Sequence, residues 1–358
     1  MTRIRPSVLI VGAGQSGLTA ARAVRDIGLT PIVLEAGMRA SGSWPKYYDS
    51  LRTFSPARFS AIPGWEPISV DPDSYPERDA VAAYLEGFAR SLDVDIRTNT
   101  RVADIVRSKH GFLVRTSAGE DFDASAVVAA SGSFSNPRRP ALPGQDSFTG
   151  EILHVVDYSR PDAFAGQRVV VVGGGNSAVQ VGHELAQIAT VTLATNNPIN
   201  FVDQRPDGRD LHHLLVAGFD QLPPEWFIPF MAGPLTIDIG NYRAAFEAAV
   251  LDRRQVFAAL DGDHVIWSNG SRERVDTVLL ATGYRPNLGY LATLGAVDER
   301  GNPKHKGGIS TTHPGLAYVG LEFQRTFASN TLRGVDSDAR FIAPALRAYA
   351  DRLHVAFR

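Results

Sequence analysis

The residues best suited to chemistry are two runs of closely spaced glycines, GAGQSG at 12–17 and GGGNSA at 173–178. Each follows a short apolar segment and precedes a segment rich in Ala, Val and Leu. In such a run one glycine permits a sharp turn and the next lets backbone N–H groups approach a pyrophosphate. The small last residue, Gly17 or Ala178, lets helix and strand pack closely. One run alone is a weak signal, but two with the same flanks predict two bound dinucleotides.

The first glycine run requires a strand before it and a helix and a second strand after it. Residues 7–36 fit this strand–helix–strand unit, with the second strand at 31–34 ending in Glu35. Glu35 stands 18 positions after Gly17, near the spacing of roughly 20 at which an acid binds a ribose hydroxyl. The alternative for Glu35 is a solvated loop carboxylate.

The second glycine run lies between predicted strands at 169–172 and 191–194, but no acid follows it. Thr-Asn-Asn at 195–197 occupies that place. A carboxylate there would repel a 2′-phosphate, so its absence favours NADP, with NADH still possible. Arg205 or Arg209 could bind the phosphate, although arginines in such a Gly/Pro/Asp-rich loop are more often only solvated.

The remaining segments are predicted to position or cover these turns. Residues 37–76, rich in Pro, Ser and aromatic side chains, predict an ordered covering loop. Residues 95–130 predict a small antiparallel β insert that returns to a buried strand. Residues 201–234 are irregular and are interpreted as a lid or partner surface, and 241–252 as a helix.

Composition excludes several functional classes. The chain has 358 residues, a net charge of −2 and no cysteine. The charge gives no electrostatic case for nucleic acid or an anionic membrane, and no apolar run reaches the roughly 20 residues of a spanning helix. We therefore expect a cytoplasmic protein. Without cysteine there is no disulfide and no CxxC redox relay. The adjacent His212 and His213 lack further ligand spacing, so no metal site is predicted.

A third pattern, FxGxxxHxxxY, is formed by Phe148, Gly150, His154 and Tyr158. Together with the two glycine runs and the ATGY segment at 281–284, it resembles the single-component flavin-containing monooxygenases over nearly the whole chain. Related Baeyer–Villiger enzymes usually carry Trp at the last position of this pattern. With Tyr158 at that position, the chain resembles the heteroatom-oxidising branch of the family. The run at 48–65 is similar to the corresponding run in a subgroup of short bacterial proteins of this family, which is associated with cation transport and metal resistance.

The resemblance implies an α/β fold with two Rossmann-like dinucleotide-binding domains, the second inserted in the first. The FAD-binding domain would comprise 1–147 and 281–358, and the NAD(P)H-binding domain 148–280, with the lid-like insert at about 201–234. The residues implied in FAD binding are Gly12, Gly14, Gln15, Ser16, Gly17, Glu35, Ser43, Trp44 and Val102. Those implied in NADPH binding are Gly173, Gly175, Asn176, Ser177 and Ala178, with Arg205 as phosphate partner and Gly283 in the linking segment.

Four residues are implied at the hinge between the domains or on the flavin side: His154, Tyr158, Trp44 and Phe54. By the resemblance His154 serves the hinge that lets nicotinamide approach and leave the flavin, not an acid–base role. The alternative is a histidine that caps the core. The family commonly has Asn where this chain has Phe54, and that Asn supports oxygen transfer. Phe54 therefore weakens the case for oxygen transfer but not for flavin reduction.

The leading hypothesis is an FAD- and NADPH-dependent monooxygenase that uses molecular oxygen to oxidise a soft N or S centre of a small molecule. The alternatives are a reductase or oxidase that passes electrons to another acceptor or releases peroxide, and a nucleotide-sensing interaction protein. Disulfide reductases that use a CxxC pair are excluded by the absence of cysteine. The substrate and the oligomeric state do not follow from the sequence.

Overall fold

The computed structural model describes residues 7–230 and 235–356. The predicted boundaries also include residues 1–6, 231–234 and 357–358, which lie outside the described residues. The strands are β1 (Val8–Val11), β2 (Pro31–Leu34), β3 (Asp95–Arg97), β4 (Val102–Ser108), β5 (Gly111–Thr116), β6 (Asp121–Ala124), β7 (Ala126–Ala129), β8 (Glu151–His154), β9 (Arg168–Val172), β10 (Thr190–Ala194), β11 (Asn200–Asp203), β12 (Leu235–Asp238), β13 (Asp252–Arg254), β14 (Ala259–Asp261), β15 (His264–Ile266), β16 (Arg272–Arg274), β17 (Thr277–Leu280), β18 (His305–Lys306), β19 (Ile309–Ser310) and β20 (Leu316–Tyr318).

The helices connect these strands and cover the sheets that they form. The α-helices are α1 (Gln15–Asp26), α2 (Arg78–Ser91), α3 (Asn176–Leu185), α4 (His212–Ala217), α5 (Pro224–Phe227), α6 (Tyr242–Glu247) and α7 (Val335–Ala356). Single turns of 3-10 helix lie at Trp44–Lys46, Ala57–Phe59, Gln145–Ser147, Asp162–Phe164, Pro206–Gly208, Phe219–Gln221, Ile228–Phe230 and Gly289–Leu291.

A seven-stranded sheet with the order β18-β19-β20-β7-β1-β2-β3 contains the first glycine run. Its central strands are parallel, with Val8 opposite both Pro31 and Ala126. Residues of α1, α2 and α7 pack on one face of the sheet, and the three-stranded antiparallel sheet β4-β5-β6 packs on the other. Because both faces are covered, β1, β2 and β7 are apolar and buried along their whole length.

A five-stranded parallel sheet with the order β13-β10-β9-β17-β8 contains the second glycine run. It repeats the same layers. Residues of α3 and α6 lie on one face, and the antiparallel sheet β14-β15-β16 lies on the other. All of its strands fall between β7 and β20 in the sequence. The second sheet is thus inserted into the chain that forms the first.

The helix predicted at 241–252 is wrong in its second half. Helix α6 ends at Glu247, and residues 252–254 form the edge strand β13. Ala249 has a φ of 54°, a left-handed conformation that ends a helix. The turn directs Leu251 into the core of the five-stranded sheet.

The irregular segment 201–230 is packed against the rest of the molecule. Strand β11 pairs in parallel with β12. Arg333 donates to both carboxylate oxygens of Asp220, at 2.6 Å from Nε and 3.0 Å from Nη2. The rings of Phe219 and Phe327 lie 5.2 Å apart, edge to face. The segment therefore connects the neighbourhood of the second glycine run to the region just before α7.

No helix in the described ranges is both long enough and apolar enough to cross a membrane.

Candidate functional site

A cleft of about 320 Å³ lies at the carboxyl ends of β1, β2 and β7. We call it the first cleft. Ligands of open α/β sheets bind outside the carboxyl ends of the strands. Of the predicted residues, those that line it are Gly12, Gly14, Gln15, Ser16, Glu35, Ser43, Trp44 and Val102. The structure thus brings together predicted residues from four separate stretches of the chain, at 12–16, 35, 43–44 and 102.

Each glycine of the first run is required for a different structural reason. Gly12 has a φ of 105°, and a Cβ there would lie 2.6 Å from the Ala130 carbonyl oxygen. A Cβ on Gly17 would overlap the Gly12 carbonyl oxygen, so Gly17 serves the contact between helix and strand. Gly14 precedes α1 without a side-chain cap, and a Cβ there would meet only Gly42 Cα, at 3.5 Å. The start of α1 can therefore receive an anion.

Glu35 is buried at the end of β2. One carboxylate oxygen accepts a hydrogen bond from the Ala13 backbone N–H and the other from Gly37, both at 2.7 Å. The alternative of a solvated loop carboxylate is therefore wrong. The two bonds fix the carboxylate beside the glycine turn, and each oxygen keeps a further lone pair for a ligand hydroxyl.

The covering loop forms an aromatic wall of the first cleft. Trp44 Nε1 donates to Gln15 Oε1 at 3.0 Å, and Gln15 Nε2 donates to the Asn330 carbonyl oxygen at 2.8 Å. The ring centroids of Tyr47 and Phe134 lie 4.4 Å apart. Burial raises the pKa of Tyr47 to about 12, so its phenol is neutral at physiological pH. A wall of this kind suits a flat heterocycle.

Several lining residues were missed by sequence reasoning, among them Lys46, Phe134, Asn287, Tyr290 and Asn330. They carry no local motif, and the chain brings them to the cleft from positions up to some 300 residues away. Tyr47 belongs to the covering loop, for which the sequence indicated only a richness in aromatic side chains. No pattern in a single sequence indicates such long-range neighbours.

The second glycine run has the same local geometry as the first. Gly173 has a φ of 147°, and a Cβ there would lie 2.5 Å from the Ala281 carbonyl oxygen. Gly175 precedes α3 without a side-chain cap, Ser177 is half-buried in the first turn, and Ala178 is buried against the sheet. The start of α3 is therefore a second place where backbone N–H groups can meet an anion.

Strand β12 lies against this second turn. The Ile237 backbone N–H donates to Asn176 Oδ1 at 2.9 Å, and Asn176 Nδ2 donates to the Leu235 carbonyl oxygen at 3.1 Å. Thr236 Oγ1 donates to the Gly174 carbonyl oxygen at 3.1 Å. The side chain of Asn176, predicted to contact a cofactor, is thus engaged with the protein's own backbone.

His154 joins the end of β8 to the segment after β17. Its Nδ1 accepts from the Val156 backbone N–H at 3.1 Å, and its Nε2 lies 3.2 Å from the Gly283 carbonyl oxygen. Because a carbonyl can only accept, Nε2 carries the proton. Burial lowers the pKa of His154, so the imidazole is neutral at physiological pH. Both ring nitrogens are used in linking backbone segments.

The other predicted residues lie outside the first cleft. Tyr158 is in the core beside the five-stranded sheet, where its hydroxyl donates to Glu184 Oε2 at 2.7 Å. Phe54 lines a second cavity, of about 340 Å³, together with Tyr48, Gln180, His183 and Glu184. Arg205 Nε donates to the Tyr75 hydroxyl at 3.2 Å. The sequence did not indicate any of these partners.

Among residues 7–230 and 235–356, no group of three or more His, Asp or Glu side chains could hold a metal ion. The adjacent histidines have separate partners. His212 Nδ1 contacts Asp210 Oδ1 at 2.9 Å, and His213 Nδ1 lies 3.1 Å from Arg209 Nη2.

Comparisons with known proteins agree with these two nucleotide turns. Residues 9–210 match the family model described as pyridine nucleotide-disulphide oxidoreductase. The chain belongs to this family. A flavin-containing monooxygenase from Stenotrophomonas maltophilia of known structure is 30% identical, with a TM-score of 0.84 and coverage of 96% of this chain and 99% of that one.

Two curated relatives extend the comparison. The uncharacterized oxidoreductase CzcO of Bacillus subtilis is 26% identical, over 93% of this chain and 97% of its own length. The flavin-containing monooxygenase FMO GS-OX-like 2 of Arabidopsis thaliana is 30% identical, over 89% of this chain and 70% of its own.

The predicted resemblance is thereby confirmed: the chain is a flavin-containing monooxygenase-like protein with bacterial CzcO-like relatives. It is an enzyme of a flavin-dependent oxidoreductase and monooxygenase family. The predicted FAD and NADP agree with this family of FAD- and NADPH-dependent monooxygenases. The family name refers to disulphides, but this chain contains no cysteine and so carries no thiol pair.

Proposed function

We propose that the protein is an NADPH-dependent monooxygenase that uses FAD and molecular oxygen to place one oxygen atom on a soft nitrogen or sulfur centre of a small molecule. The observation that carries this proposal is the pair of uncapped helix starts after glycine turns, one of them opening into a cleft with an aromatic wall. The family membership supports the same chemistry.

The FAD-binding domain of this proposal comprises 1–147 and 281–358, and the NAD(P)H-binding domain 148–280. In the first, the backbone around Gly14 would bind the pyrophosphate and Glu35 the adenosine ribose. The neighbourhood of Val102 would receive the adenine, and the wall containing Trp44 and Tyr47 would receive the flavin. The first cleft fits this group because its glycine turn has no side chain that would fill the anion position.

In the second domain, backbone groups from Gly175 to Ala178 would bind the nicotinamide dinucleotide. The absence of an acid at 195–197 supports NADPH, with Arg205 as the candidate partner of the 2′-phosphate. Its present contact with Tyr75 leaves the rest of its guanidinium N–H groups for a ligand.

When bound, FAD supplies the two-electron chemistry and the reaction with oxygen. The chain's own residues bind, orient and exclude water. The rings of Tyr47 and Phe134 form part of the wall of the first cleft, and the neutral phenol of Tyr47 adds no charge to it. His154 holds the junction near Gly283 as a neutral imidazole, which suits a positioning role at the hinge and not proton transfer.

A specific observation favours a second candidate, an NADPH reductase or oxidase that releases peroxide. Phe54 stands where the resembling family has Asn, and a phenyl ring offers no strong hydrogen-bond donor. Gln204 Nε2 donates to the Phe54 backbone carbonyl at 3.0 Å, so the loop is fixed with this ring in place.

The proposal is tested with purified, FAD-loaded protein by measuring NADPH oxidation, oxygen uptake, peroxide and oxidised product for a tertiary amine and a thioether. Product formed in step with NADPH supports the monooxygenase. Peroxide in full stoichiometry with both compounds supports the oxidase. Protein that binds no FAD or does not oxidise NADPH contradicts both, and would leave the nucleotide-sensing alternative.

A further inference from the structure

The segment between β20 and α7 closes one side of the first cleft. We call residues 320–334 the clasp segment, and two of them, Gly320 and Asn330, line the cleft. Gln15, the first residue of α1, donates from Nε2 to the Asn330 carbonyl oxygen at 2.8 Å. A Cβ on Gly320 would lie 2.1 Å from Ser16 Oγ, so the backbone there lies directly against the first turn of α1. The clasp segment therefore borders the glycine turn that is proposed to bind the pyrophosphate.

An ion pair fastens the clasp segment to the other proposed domain. Its partner is the insert, which we define as the described part of the lid-like segment, residues 201–230. Arg333 donates to both carboxylate oxygens of Asp220, at 2.6 Å from Nε and 3.0 Å from Nη2. The two side chains are 12% and 7% exposed, so little water competes for these charge-assisted hydrogen bonds. Loss of the carboxylate would leave the Arg333 guanidinium largely buried without this partner.

Four aromatic rings extend the same contact. Two belong to the insert and two to the clasp segment: Phe219, Phe227, Phe323 and Phe327. The ring centroid of Phe227 lies 5.3 Å from that of Phe323 and 5.6 Å from that of Phe327, edge to face in both pairs. The Phe227 side chain is buried. Rings at these separations and angles attract one another in addition to the apolar area that they bury.

The backbone of the clasp segment is strained at Phe323. Its φ of 52° lies in the left-handed region, which a bulky residue rarely adopts. Such a conformation persists only where surrounding contacts hold it. Ser329 Oγ accepts hydrogen bonds from the backbone N–H groups of Arg325 and Thr326, which shape the turn after Phe323. Phe227 packs against the Phe323 ring from outside the segment. Undocking of the insert would therefore favour a relaxed backbone close to the cleft.

We propose that Asp220 and Phe227 are positioning residues that retain FAD in the first cleft, because they hold the clasp segment against the start of α1. They act through Arg333 and Phe323, and this role rests on the first cleft being the FAD site. Bound FAD and the docked insert then stabilise each other, since the coupling of two sites is reciprocal. Release of the insert is expected to let the clasp segment move and FAD leave.

The first test measures how fast FAD leaves the FAD-loaded protein, by exchange of radiolabelled FAD for an excess of unlabelled FAD. Asp220→Asn weakens the ion pair with Arg333, and Phe227→Leu removes the ring that packs against Phe323. Each variant is expected to release FAD at least about tenfold faster than the wild type. A wild-type release rate in either folded variant overturns the role assigned to that residue.

Matched controls separate this role from a general loss of stability. Glu273 accepts from Arg168 at 2.7 Å within the second domain, so Glu273→Gln weakens a comparable ion pair away from the clasp segment. Phe257 is buried in the core of the same domain beside Trp267, so Phe257→Leu matches the aromatic change. Both controls are expected to lower the thermal transition and to release FAD at the wild-type rate. If they accelerate release as much as Asp220→Asn and Phe227→Leu, the proposal fails.

The second test uses the wild type alone, so it decides the matter even where a variant does not fold. Among the described residues of the insert, none lines the first cleft. Hydrogen exchange of residues 212–227 is nevertheless expected to slow by at least about tenfold when FAD is bound, whereas exchange in β14, β15 and β16 is unchanged. Equal exchange of 212–227 with and without FAD, or equal slowing in both regions, overturns the proposal.

Failure of this proposal and failure of the proposed function give different results. Protein that takes up no FAD contradicts both. Protein that holds FAD and oxidises NADPH, but passes neither the release test nor the exchange test, contradicts only the positioning role of the insert.

Discussion

Asn176, the first residue of α3, accepts a 2.9 Å hydrogen bond from the backbone N–H of Ile237 in strand β12 and returns one from Nδ2 to the Leu235 carbonyl oxygen at 3.1 Å. Strand β12 is therefore anchored at the second glycine turn. Any ligand that reaches the start of α3 meets this strand as a neighbour. The geometry of the second turn thus depends on a residue pair 61 positions apart.

This pair gives a stability prediction. Asn176→Ala removes the side-chain partner of a backbone donor and acceptor that water can partly replace, and we expect the free energy of unfolding to fall by about 0.5–1.5 kcal/mol. Asn176→Asp keeps the acceptor for Ile237 and is expected to lose less. Chemical denaturation of the FAD-loaded protein measures both. An unchanged midpoint in Asn176→Ala would show that the two bonds contribute nothing net.

The buried carboxylate of Glu35 gives a prediction for FAD affinity. Glu35→Ala removes the acceptor of the Ala13 and Gly37 N–H groups beside the first turn. We expect FAD affinity to fall by at least about tenfold, with Glu35→Gln intermediate because one amide oxygen remains. Fluorescence titration of apoprotein with FAD measures the change. Wild-type affinity in Glu35→Ala would remove Glu35 from the proposed FAD site.

A substitution at Gly14 is expected to affect FAD binding without affecting folding. A Cβ there meets only Gly42 Cα at 3.5 Å, so Gly14→Val is expected to fold but to lose FAD, because its side chain blocks the pyrophosphate position. Gly87→Val, on helix α2, places its Cβ 3.9 Å from Arg90 Nη2 and serves as the matched control with FAD retained. The ratio of absorbance at 450 nm to that at 280 nm measures the FAD content, which we expect to be about one FAD per chain in the wild type. Retention of FAD by Gly14→Val would contradict the proposed binding mode.

Arg205 gives a prediction for cofactor choice. We expect wild type to prefer NADPH, and Arg205→Ala to lower kcat/KM for NADPH by about tenfold while NADH changes little. Arg209→Ala is the control in the same loop. Equal losses for the two cofactors would mean that Arg205 acts through its contact with Tyr75 and not through the phosphate.

How far the sequence alone predicts this molecule depends on the range of the interactions. Gly12 and Gly173 were recognised because their positive φ angles are a local requirement of a strand–turn–helix unit. Asn330 was not recognised, because it reaches the first cleft only through the fold of the whole chain. Ala249 misled the helix assignment, since alanine is a good helix former and only tertiary packing places it in a left-handed conformation.

The second cavity illustrates the same limit. Gln180, His183 and Glu184 occur at the spacing of one helical face, and in a sequence they describe only the polar side of α3. They line a cavity because Tyr48 and Phe54, more than 120 positions earlier, lie against that face. Pairing of a loop with a helix face at this separation leaves no pattern in one sequence.

The last prediction concerns the coupling of NADPH oxidation to oxygen transfer. Phe54 stands where the resembling family has Asn and its ring donates no hydrogen bond, so we expect the wild type to release substantial peroxide without substrate and to couple only partly when an amine or sulfide is present. The backbone at this position is held by Gln204 through the Phe54 carbonyl at 3.0 Å, so Phe54→Asn changes the side chain without releasing the loop. The variant is expected to raise the product formed per NADPH consumed, whereas Phe54→Leu, apolar and similarly unable to donate, leaves it low. Quantifying peroxide, product and NADPH in the same reaction decides the matter. If the wild type is already fully coupled, another group performs the role of the family's Asn; if no variant yields product and NADPH is still oxidised, the reductase or oxidase assignment replaces the monooxygenase.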